Sequence, residues 1–414
     1  MSGAVLVDSE RISAELEHLA TFSDAPAPAV TRVVFSEADR RARHYVKGLC
    51  RAASLDVRED AVGNTFARLA GSDPPLAAVA TGSHIDAIPN AGRFDGTVGV
   101  IGALEAVRAL QRAQVHPRRS IDVLLFTSEE PTRFGIGCLG SRLLASVLDA
   151  TAADAMTGKD GLSLAAARAA AGFSGDLAST ALTTGVYSAF VELHIEQGPI
   201  LEQRGLDIGA VTAIAAPSSL RIVIDGEGGH AGAMLMPERR DAFLAAAEIA
   251  LAVESSARAT GAIDTVGTVG VCDVFPGAVN SVPSRTTLEV DIRDIDLARR
   301  DSVLASVRRA CDEVAARRRV TVTVESLNAD PPARCAPEIV EAIVAASKKR
   351  AFGYLEMISR AYHDSLFMAR VAPTAMIFIP CRSGVSHRPD EYASPEAIAR
   401  GVSVLADTLV ALAG

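Results

Sequence analysis

Histidines and carboxylates follow several apolar, strand-like runs of the sequence, in positions from which they could bind metal ions. The run PLAAVA leads to His84, with Asp86 two residues later and Asp95 in a glycine-bordered turn. Residues i and i+2 of a strand point to the same face, so His84 and Asp86 should emerge side by side. A carboxylate beside an imidazole fixes the tautomer of a metal-bound histidine. Taken alone, His84 would be interpreted as a hydrogen-bonded loop histidine.

The same arrangement recurs at other strand ends. The run VLLFTSEE ends in Glu129 and Glu130. Adjacent carboxylates repel each other near an apolar sheet unless a cation compensates their charge. The run VELHIEQG puts His194 and Glu196 on one strand face, which repeats the histidine–x–carboxylate spacing. His387 follows the apolar run TAMIFIP. Because ligands bind at the carboxyl ends of strands in open α/β sheets, these residues predict one common site.

The side-chain types indicate which ions this site would bind. Histidines and carboxylates without cysteine suit zinc, manganese, cobalt or nickel rather than a thiolate site. Two metal ions that share one carboxylate would explain why so many candidate ligands are present. The candidate ligands are His84, Asp95, Glu130, His194 and His387.

The elements that must position these residues follow an α/β pattern. Up to about residue 212, apolar runs such as LAAVATGSH and IDVLLFTSEE alternate with helical patterns such as VGVIGALEAVRALQRA. This alternation predicts an α/β layer with a mostly parallel sheet. Beyond it, RTTLEVDIRD alternates like a strand and PERRDAFLAAAEIALAVESSARA reads as one long helix with Pro237 near its start. Helix–strand alternation then resumes after NADPPA.

The chain of 414 residues is too long for one ordinary core, so two domains are expected. The change of pattern places a smaller α+β domain inside a larger α/β domain. We predict a discontinuous catalytic domain over 1–212 and 332–414, and an inserted domain over 213–331. The inserted domain should carry two helices on one face of an antiparallel sheet.

Composition and charge exclude several classes of partner. The net charge is -9, and the densest basic run, Arg317 to Arg319, ends a predicted helix, where cations are favourable. Nucleic acid is therefore not an expected partner, and no stretch is long and apolar enough to span a membrane. The six cysteines are scattered without paired spacing, which favours reduced thiols. Together with an N-terminal segment unlike a signal peptide, this pattern predicts a cytoplasmic protein.

Assembled in order, these segments resemble the amidase, hydantoinase/carbamoylase family, which belongs to the aminoacylase and carboxypeptidase group of di-metal hydrolases. The resemblance covers nearly the whole chain after about residue 30. The segments that carry it are GSHIDAIPNAGRFDG, FTSEEPTRFG, CLGSR, ELHIEQGP, GHAGA, RRDA and SHRPDEY. It implies a metallopeptidase-like catalytic domain with two divalent ions, an inserted dimerisation and lid domain, and hence a homodimer.

Residue by residue, the resemblance implies a role for each candidate. The implied ligands are His84 and His194 for one ion, Glu130 and His387 for the other, and Asp95 as the bridge between them. Glu129 would be the general base, and Asp86 would orient His84. A base and a ligand at adjacent positions would explain the pair of glutamates.

The resemblance also implies residues that contact the substrate. These are Gln197 for a ureido group, Asn280 and Arg293 for a carboxylate, and His230 for the tetrahedral oxyanion, supplied across the dimer. A guanidinium fork suits the binding of a carboxylate. The alternative for Arg293 is an ordinary ion pair with Asp291 or Asp294.

Members of this family hydrolyse allantoate, N-carbamoyl amino acids, β-ureidopropionate or ureidoglycolate, which all combine a ureido group with a carboxylate. The segments AMLMP, NADPPA, SRAYHDSLFMAR and FIPC of this chain resemble the branch that acts on ureidoglycolate. That branch implies manganese and the conversion of ureidoglycolate to glyoxylate, ammonia and carbon dioxide, as in plant purine breakdown.

Other functions are open at this point. Within the family, the alternatives are an N-carbamoyl-L-amino acid hydrolase and an allantoate amidohydrolase. A non-catalytic, metal-binding dimeric scaffold would be expected to lack the base or a ligand, and both Glu129 and all candidate ligands are present. A metal-free serine or cysteine amidase is a third alternative, but Cys138 and Cys381, the only thiols near the quoted segments, have no evident histidine partner.

Overall fold

The computed structural model describes residues 5–414, which divide into two units. The first comprises the residues up to Thr212, Cys335–Ser359 and His363–Gly414, and the second Ala213–Arg334 and Arg360–Tyr362. The second unit is therefore an insertion in the first along the chain. Its function in dimerisation and as a lid stays a prediction.

The helices are numbered in chain order. They are α1 (Ser9–Ala20), α2 (Glu37–Ala52), α3 (Thr97–Arg112), α4 (Leu139–Leu144), α5 (Ala150–Ala155), α6 (Leu164–Ala170), α7 (Ile200–Arg204), α8 (Ala242–Ala259), α9 (Leu297–Arg318), α10 (Pro337–Lys349), α11 (Asp364–Met368) and α12 (Pro395–Ala413). Short 3-10 helices span Leu177–Thr180, Met236–Glu238 and Arg382–Gly384. No helix of the described residues is long and apolar enough to cross a membrane.

The strands are numbered in the same way. They are β1 (Val30–Arg32), β2 (Asp56–Glu59), β3 (Thr65–Leu69), β4 (Ala78–His84), β5 (Ala87–Ala91), β6 (Ile121–Phe126), β7 (Tyr187–Ile195), β8 (Ile208–Ile214), β9 (Ala216–Asp225), β10 (Gly229–His230), β11 (Val266–Phe275), β12 (Ser281–Val282), β13 (Arg285–Asp294), β14 (Thr321–Ala329), β15 (Ala333–Arg334), β16 (Tyr354–Ser359) and β17 (Thr374–Ile379).

The first unit is built around a sheet of order β8-β17-β7-β4-β6-β3-β2, with β16 paired to β8. The central strands β17, β7, β4 and β6 pair in parallel, whereas β8, β3 and β2 join antiparallel. The predicted α/β class is confirmed, but the sheet is mixed and its parallel part is the centre. A short loop joins β2 to β3, and consecutive strands joined in this way pair antiparallel.

Helices cover both faces of the central strands. On one face, α3 packs against β4, β7 and α12. On the other, Leu144 of α4 and Met368 of α11 join Phe126 and Phe190 in a buried cluster. Strands buried on both faces read as continuous apolar runs, which explains the composition of β6 and β17. This rigid layer positions the polar residues that follow the strands.

The second unit is a four-stranded antiparallel sheet of order β11-β13-β9-β14. Its apolar face packs against α8 and α9, and Leu220, Ile249 and Val307 lie in that core. The helix predicted from Pro237 begins only at Ala242. The Asp241 side chain accepts hydrogen bonds from the first turn and so caps the helix at that point.

Candidate active site

The carboxyl ends of the four parallel strands carry the predicted site residues of the first unit. His84 is the last residue of β4, and His194 lies one residue before the end of β7. The parallel register of these strands places the two histidines in the same row, with ring centroids 6.1 Å apart. Glu129 and Glu130 follow β6, and His387 follows β17. The structure therefore brings together residues that the sequence separates by about 300 positions.

Asp95 lies at the centre of the site, in the turn that precedes α3. Its Oδ1 atom is 3.4 Å from His84 Nε2 and 3.3 Å from His194 Nε2. Its Oδ2 atom is 3.4 Å from His387 Nε2, and that nitrogen is 3.4 Å from Glu130 Oε1. The two oxygens of one carboxylate thus face two different sets of ligand atoms.

Two groups of side chains that share Asp95 have the composition and spacing of metal sites, as does a third group of Glu192, His194 and His363. In each group, the three potential ligand atoms lie within 4.8 Å of one another. Of the two groups that share Asp95, one consists of His84, Asp95 and His194. The other consists of Asp95, Glu130 and His387. Imidazole nitrogens and carboxylate oxygens without thiolates fit first-row divalent ions. The donor set therefore fits two ions with Asp95 between them.

Asp86 is buried and connects the end of β4 to the loop after β6. Its Oδ1 accepts a hydrogen bond from the Glu129 backbone N–H at 3.2 Å, and its Oδ2 accepts one from the Glu130 N–H at 3.0 Å. Asp86 Oδ1 also lies 3.6 Å from His84 Nδ1, and the Asp86 backbone oxygen lies 3.1 Å from the same nitrogen. The sequence predicted the contact with His84, while the bonds to the glutamate loop emerge from the structure.

The site concentrates negative charge in a buried setting. Burial raises the pKa of Glu129 well above its usual value, and the Glu130 carboxylate adds to this, while His84 opposes it. Burial and repulsion from Asp95 raise the pKa of Glu130 to about 7. These carboxylates repel one another in the absence of a cation, so positive charge at this position would stabilise their ionised forms.

The pKa values of two site histidines are raised as well, which favours their positively charged forms. Burial lowers the pKa of His84, but the surrounding carboxylates, Glu129 foremost, outweigh burial and raise that pKa well above its usual value. The hydrogen bond with Asp95 raises the pKa of His387 to about 9. Positive charge is therefore favoured at these positions.

Three residues at the site that are not glycine have left-handed backbone conformations. The φ angles of Ser128, Gln197 and His387 are 57°, 53° and 59°. Such conformations are uncommon for these residue types and cluster at functional sites, where the surrounding structure holds them. Each of them adjoins or carries a predicted site side chain.

Gln197 reaches the centre of the site from the loop after β7. Its Nε2 donates to Asp95 Oδ2 at 2.5 Å and to Ser386 Oγ at 3.2 Å. Its Oε1 is buried and has no hydrogen-bond partner within residues 5–414. A buried acceptor of this kind is suited to an N–H group of a ligand.

Glu196 has a different contact from the one its spacing suggested. It accepts hydrogen bonds from the backbone N–H groups of Ile200 and Leu201, at 2.9 and 2.8 Å, and so caps the start of α7. The Nδ1 of His194 instead lies 2.9 Å from the backbone oxygen of Ile195. The histidine–x–carboxylate spacing therefore has different consequences on β4 and β7, because the chain turns into a helix directly after β7.

Sequence reasoning overlooked several polar residues around the ligands. Glu192 is buried beneath His194 and accepts hydrogen bonds from the hydroxyls of Ser83 and Ser365, at 2.7 and 2.6 Å. Its position two residues before His194 on a strand was the available signal. Glu391 was overlooked as well, although it lies in the quoted segment SHRPDEY.

The remaining predicted residues belong to the second unit. His230 and Asn280 are exposed and lie near the small ladder of β10 and β12, where the Ala231 N–H donates to the Asn280 backbone oxygen at 2.8 Å. Arg293 ends near Asp291, with its Nε 2.8 Å from Asp291 Oδ1. The ion pair considered as the alternative for Arg293 is thus present.

This ion pair leaves part of the guanidinium available. Nε and one N–H of Nη2 bind Asp291, and Nη1 donates to the Arg360 backbone oxygen at 3.2 Å. A guanidinium has five N–H donors, so one remains on Nη1 and one on Nη2. The Asp291 contact therefore fixes the orientation of Arg293 and is compatible with a second carboxylate.

The chain matches known proteins along almost its full length. Residues 80–411 match Peptidase family M20/M25/M40. The chain is 52% identical to ureidoglycolate hydrolase of Arabidopsis thaliana, over 100% of this chain and 88% of that protein. The resemblance seen in the seven sequence segments is thereby confirmed.

Solved structures give the same result. A crystal structure of AtUAH in complex with (S)-hydroxyglycine has a TM-score of 0.90 and 52% identity, with 98% of each chain covered. An amidase of the hydantoinase/carbamoylase family from Burkholderia multivorans has a TM-score of 0.89 and 32% identity, over 99% of this chain and 98% of the other. This chain is a hydrolase that belongs to Peptidase family M20/M25/M40 and, within it, to the amidases of the hydantoinase/carbamoylase family.

Proposed function

We propose that this protein is a metal-dependent amidohydrolase that cleaves the ureido C–N bond of ureidoglycolate, yielding glyoxylate, ammonia and carbon dioxide. The observation that carries the proposal is the position of Asp95, whose Oδ1 faces His84 and His194 while its Oδ2 faces His387. A carboxylate placed in this way suits two divalent ions. The choice of ureidoglycolate rests on the 52% identity to the plant enzyme over the full chain.

Five side chains have proposed roles in metal binding. His84 and His194 would hold one ion, Glu130 and His387 the other, with Asp95 shared, and manganese is the proposed metal. Two divalent ions held by these residues would act as Lewis acids on a carbonyl group and would lower the pKa of an attacking water.

Glu129 is the proposed general base. Its Oε2 is 3.8 Å from His84 Nε2, at the edge of the ligand cluster, and its Oε1 accepts from the Cys138 thiol at 3.5 Å. Its buried carboxylate would take the proton of the attacking water and pass it to the leaving nitrogen. Asp86 would keep this glutamate in place through its backbone N–H, because the Asp86 carboxylate accepts that bond.

A substrate panel tests the proposal. Manganese-reconstituted enzyme is assayed for ammonia release from (S)-ureidoglycolate, allantoate, N-carbamoyl-β-alanine and N-carbamoyl-L-amino acids, with a chelated sample as control. We expect a preference for ureidoglycolate that chelation abolishes and manganese restores. Preference for allantoate or a carbamoyl amino acid would support the di-metal amidohydrolase activity and contradict ureidoglycolate as its substrate. Absence of metal-dependent activity on all of them would contradict the ureido chemistry, as expected for a scaffold protein.

The substrate contacts form a second part of the proposal. Gln197, with its buried acceptor, would bind the ureido group, and Asn280 and Arg293 would bind the carboxylate, while His230 would stabilise the oxyanion. The two remaining N–H donors of Arg293, one on Nη1 and one on Nη2, support its role, because guanidinium N–H groups form strong hydrogen bonds with a carboxylate.

Replacing Arg293 with lysine tests this assignment. The substitution keeps the positive charge but removes the planar fork, so KM for ureidoglycolate is expected to rise about 10-fold or more, with a smaller change in kcat. Steady-state kinetics at saturating manganese measure both constants. Arg285, an exposed arginine on the same strand that pairs with Asp225, provides the matched control as Arg285→Lys. Equal KM values for the two variants would contradict the assignment of Arg293 to the substrate site.

A homodimer formed through the second unit is also proposed. β11 is at the edge of its sheet, with one side lacking a strand partner within the described chain. Exposed apolar side chains accompany this edge: Phe243, Leu244, Leu251, Val266 and Phe275. An open strand edge beside an apolar helix face suits pairing with a second copy.

Sedimentation equilibrium provides the test of the dimer. The wild-type protein is expected to have the mass of two chains, and Leu251→Glu, which places a charge on the exposed apolar face of α8, is expected to shift it toward one chain. A wild-type mass of one chain at micromolar concentration would contradict the dimer.

The proposed location, a reducing cytoplasm, is supported by the six cysteines, all of which are free thiols.

A further inference from the structure

We infer that Glu391 is a positioning residue that clamps together the two loops carrying Asp95 and His387. The inference rests on the di-metal function proposed above and assigns a role to a residue outside the ligand set. Glu391 lies in the loop before α12 and is only 4% exposed. It makes no contact with the ligand atoms themselves, and acts through the backbone that carries them.

Each oxygen of the Glu391 carboxylate binds a different loop. Oε1 accepts hydrogen bonds from the backbone N–H groups of Phe94 and Asp95, at 2.8 and 3.1 Å. Oε2 accepts from the Ser386 hydroxyl at 2.9 Å and from the His387 backbone N–H at 3.3 Å. A charged acceptor with four donors holds both loops at fixed separation.

The neighbouring residues are adapted to this clamp. A Cβ atom at Gly92 would overlap the Glu391 carboxylate, so glycine is needed for its close approach. The Ser386 hydroxyl lies between two carboxylates, 2.6 Å from Asp95 Oδ2 and 2.9 Å from Glu391 Oε2. Because a hydroxyl has one proton, it can donate to only one of them at a time. It therefore couples Glu391 directly to the bridging carboxylate.

The clamp matters most for the ion that His387 would hold. His84 and His194 are anchored on strands of the central sheet, whereas His387 lies on a loop and its side chain is 45% exposed. The His387 loop therefore depends on Glu391 for its position more than the strands do. Loss of such an outer contact typically weakens metal binding by about 10- to 100-fold.

Glu391→Gln tests the inference, because an amide keeps the volume and changes the hydrogen bonds. With its NH₂ group toward the Asp95 loop, the amide faces two backbone N–H donors, and with its NH₂ group toward the His387 loop it faces the His387 N–H. At least one hydrogen bond to that loop is therefore lost in either orientation. We expect about 10- to 100-fold weaker binding of the more weakly bound manganese, and activity that recovers as manganese is raised. Glu396→Gln, the same change at an exposed position of α12, is expected to behave like the wild type.

Calorimetric titration with Mn²⁺ and the melting temperature of the metal-free protein separate positioning from folding. Glu391→Asp keeps the charge but shortens the reach by one methylene, so it should fold normally and bind manganese less tightly than the wild type. Wild-type manganese affinity in both variants would overturn the inference. So would weak binding in Glu391→Gln that accompanies a collapse of its melting temperature while Glu391→Asp matches the wild type. A wild-type protein that binds no manganese would instead overturn the proposed function, and this is visible before any variant is compared.

Discussion

Replacing Glu129 with glutamine is expected to lower kcat on ureidoglycolate by on the order of 10²- to 10⁴-fold, the contribution typical of a general base. The substitution preserves the volume of a buried side chain and removes its ability to take a proton. Bound manganese and KM should change little, because Glu129 is outside both groups of ligand atoms. The melting temperature of the metal-free protein should not fall, because the change also removes repulsion between Glu129 and Glu130. Steady-state kinetics and metal analysis measure these quantities.

The adjacent glutamate provides the matched control. Glu130→Gln alters a residue whose Oε1 is 3.4 Å from His387 Nε2, so it should weaken metal binding, and part of its activity should return at high manganese. Activity of Glu129→Gln should not return under the same conditions. Recovery of both variants, or of neither, would contradict the division of these two glutamates into base and ligand.

Replacing Gly96 with alanine is expected to lower activity at limiting manganese by about 100-fold. An added Cβ would overlap the His84 ring at Nε2, the atom that faces Asp95. The ring must move away, and a misplacement of about 1 Å at a reacting centre can cost on the order of 100-fold in rate. Gly96 also has a φ of 64° and a ψ of -44°, outside the left-handed helical region, so alanine there costs more stability than the roughly 1–2 kcal/mol of a left-handed helical residue. Titration with manganese and thermal melting give the two effects separately.

Gly205→Ala provides a control for alanine at a positive φ without a steric overlap. Gly205 has a φ of 62°, close to that of Gly96, and no atom lies within 4 Å of the position that its Cβ would occupy. Gly205 is left-handed helical with a ψ of 37°, whereas the ψ of Gly96 is -44°, a conformation that alanine adopts even less readily. Gly96→Ala should therefore lose more stability than Gly205→Ala, and only Gly96→Ala should lose metal affinity. If Gly96→Ala binds manganese as the wild type does, His84 cannot be a ligand in the position described.

Much of the site follows from local patterns in the sequence. His84, Glu130 and His194 stand at the ends of apolar runs, and the i, i+2 spacing correctly predicts that Asp86 contacts His84. The same spacing fails for His194 and Glu196, because α7 begins four residues later and its backbone N–H groups bind the glutamate. A local pattern specifies which side chains share a face, but the partner depends on the path that the chain takes next.

The sequence by itself determined the α/β class, the insertion of a second pattern of elements, and the set of histidines and carboxylates that follow the strands. Apolar periodicity reflects burial on one or two faces, and burial is encoded locally. Only the tertiary structure decided that the sheet is mixed, that Arg293 pairs with Asp291, and that Glu391 binds the Asp95 loop 296 residues away. These features depend on contacts between distant segments. The residues next to a carboxylate in the sequence do not specify which distant donors will surround it in the folded protein.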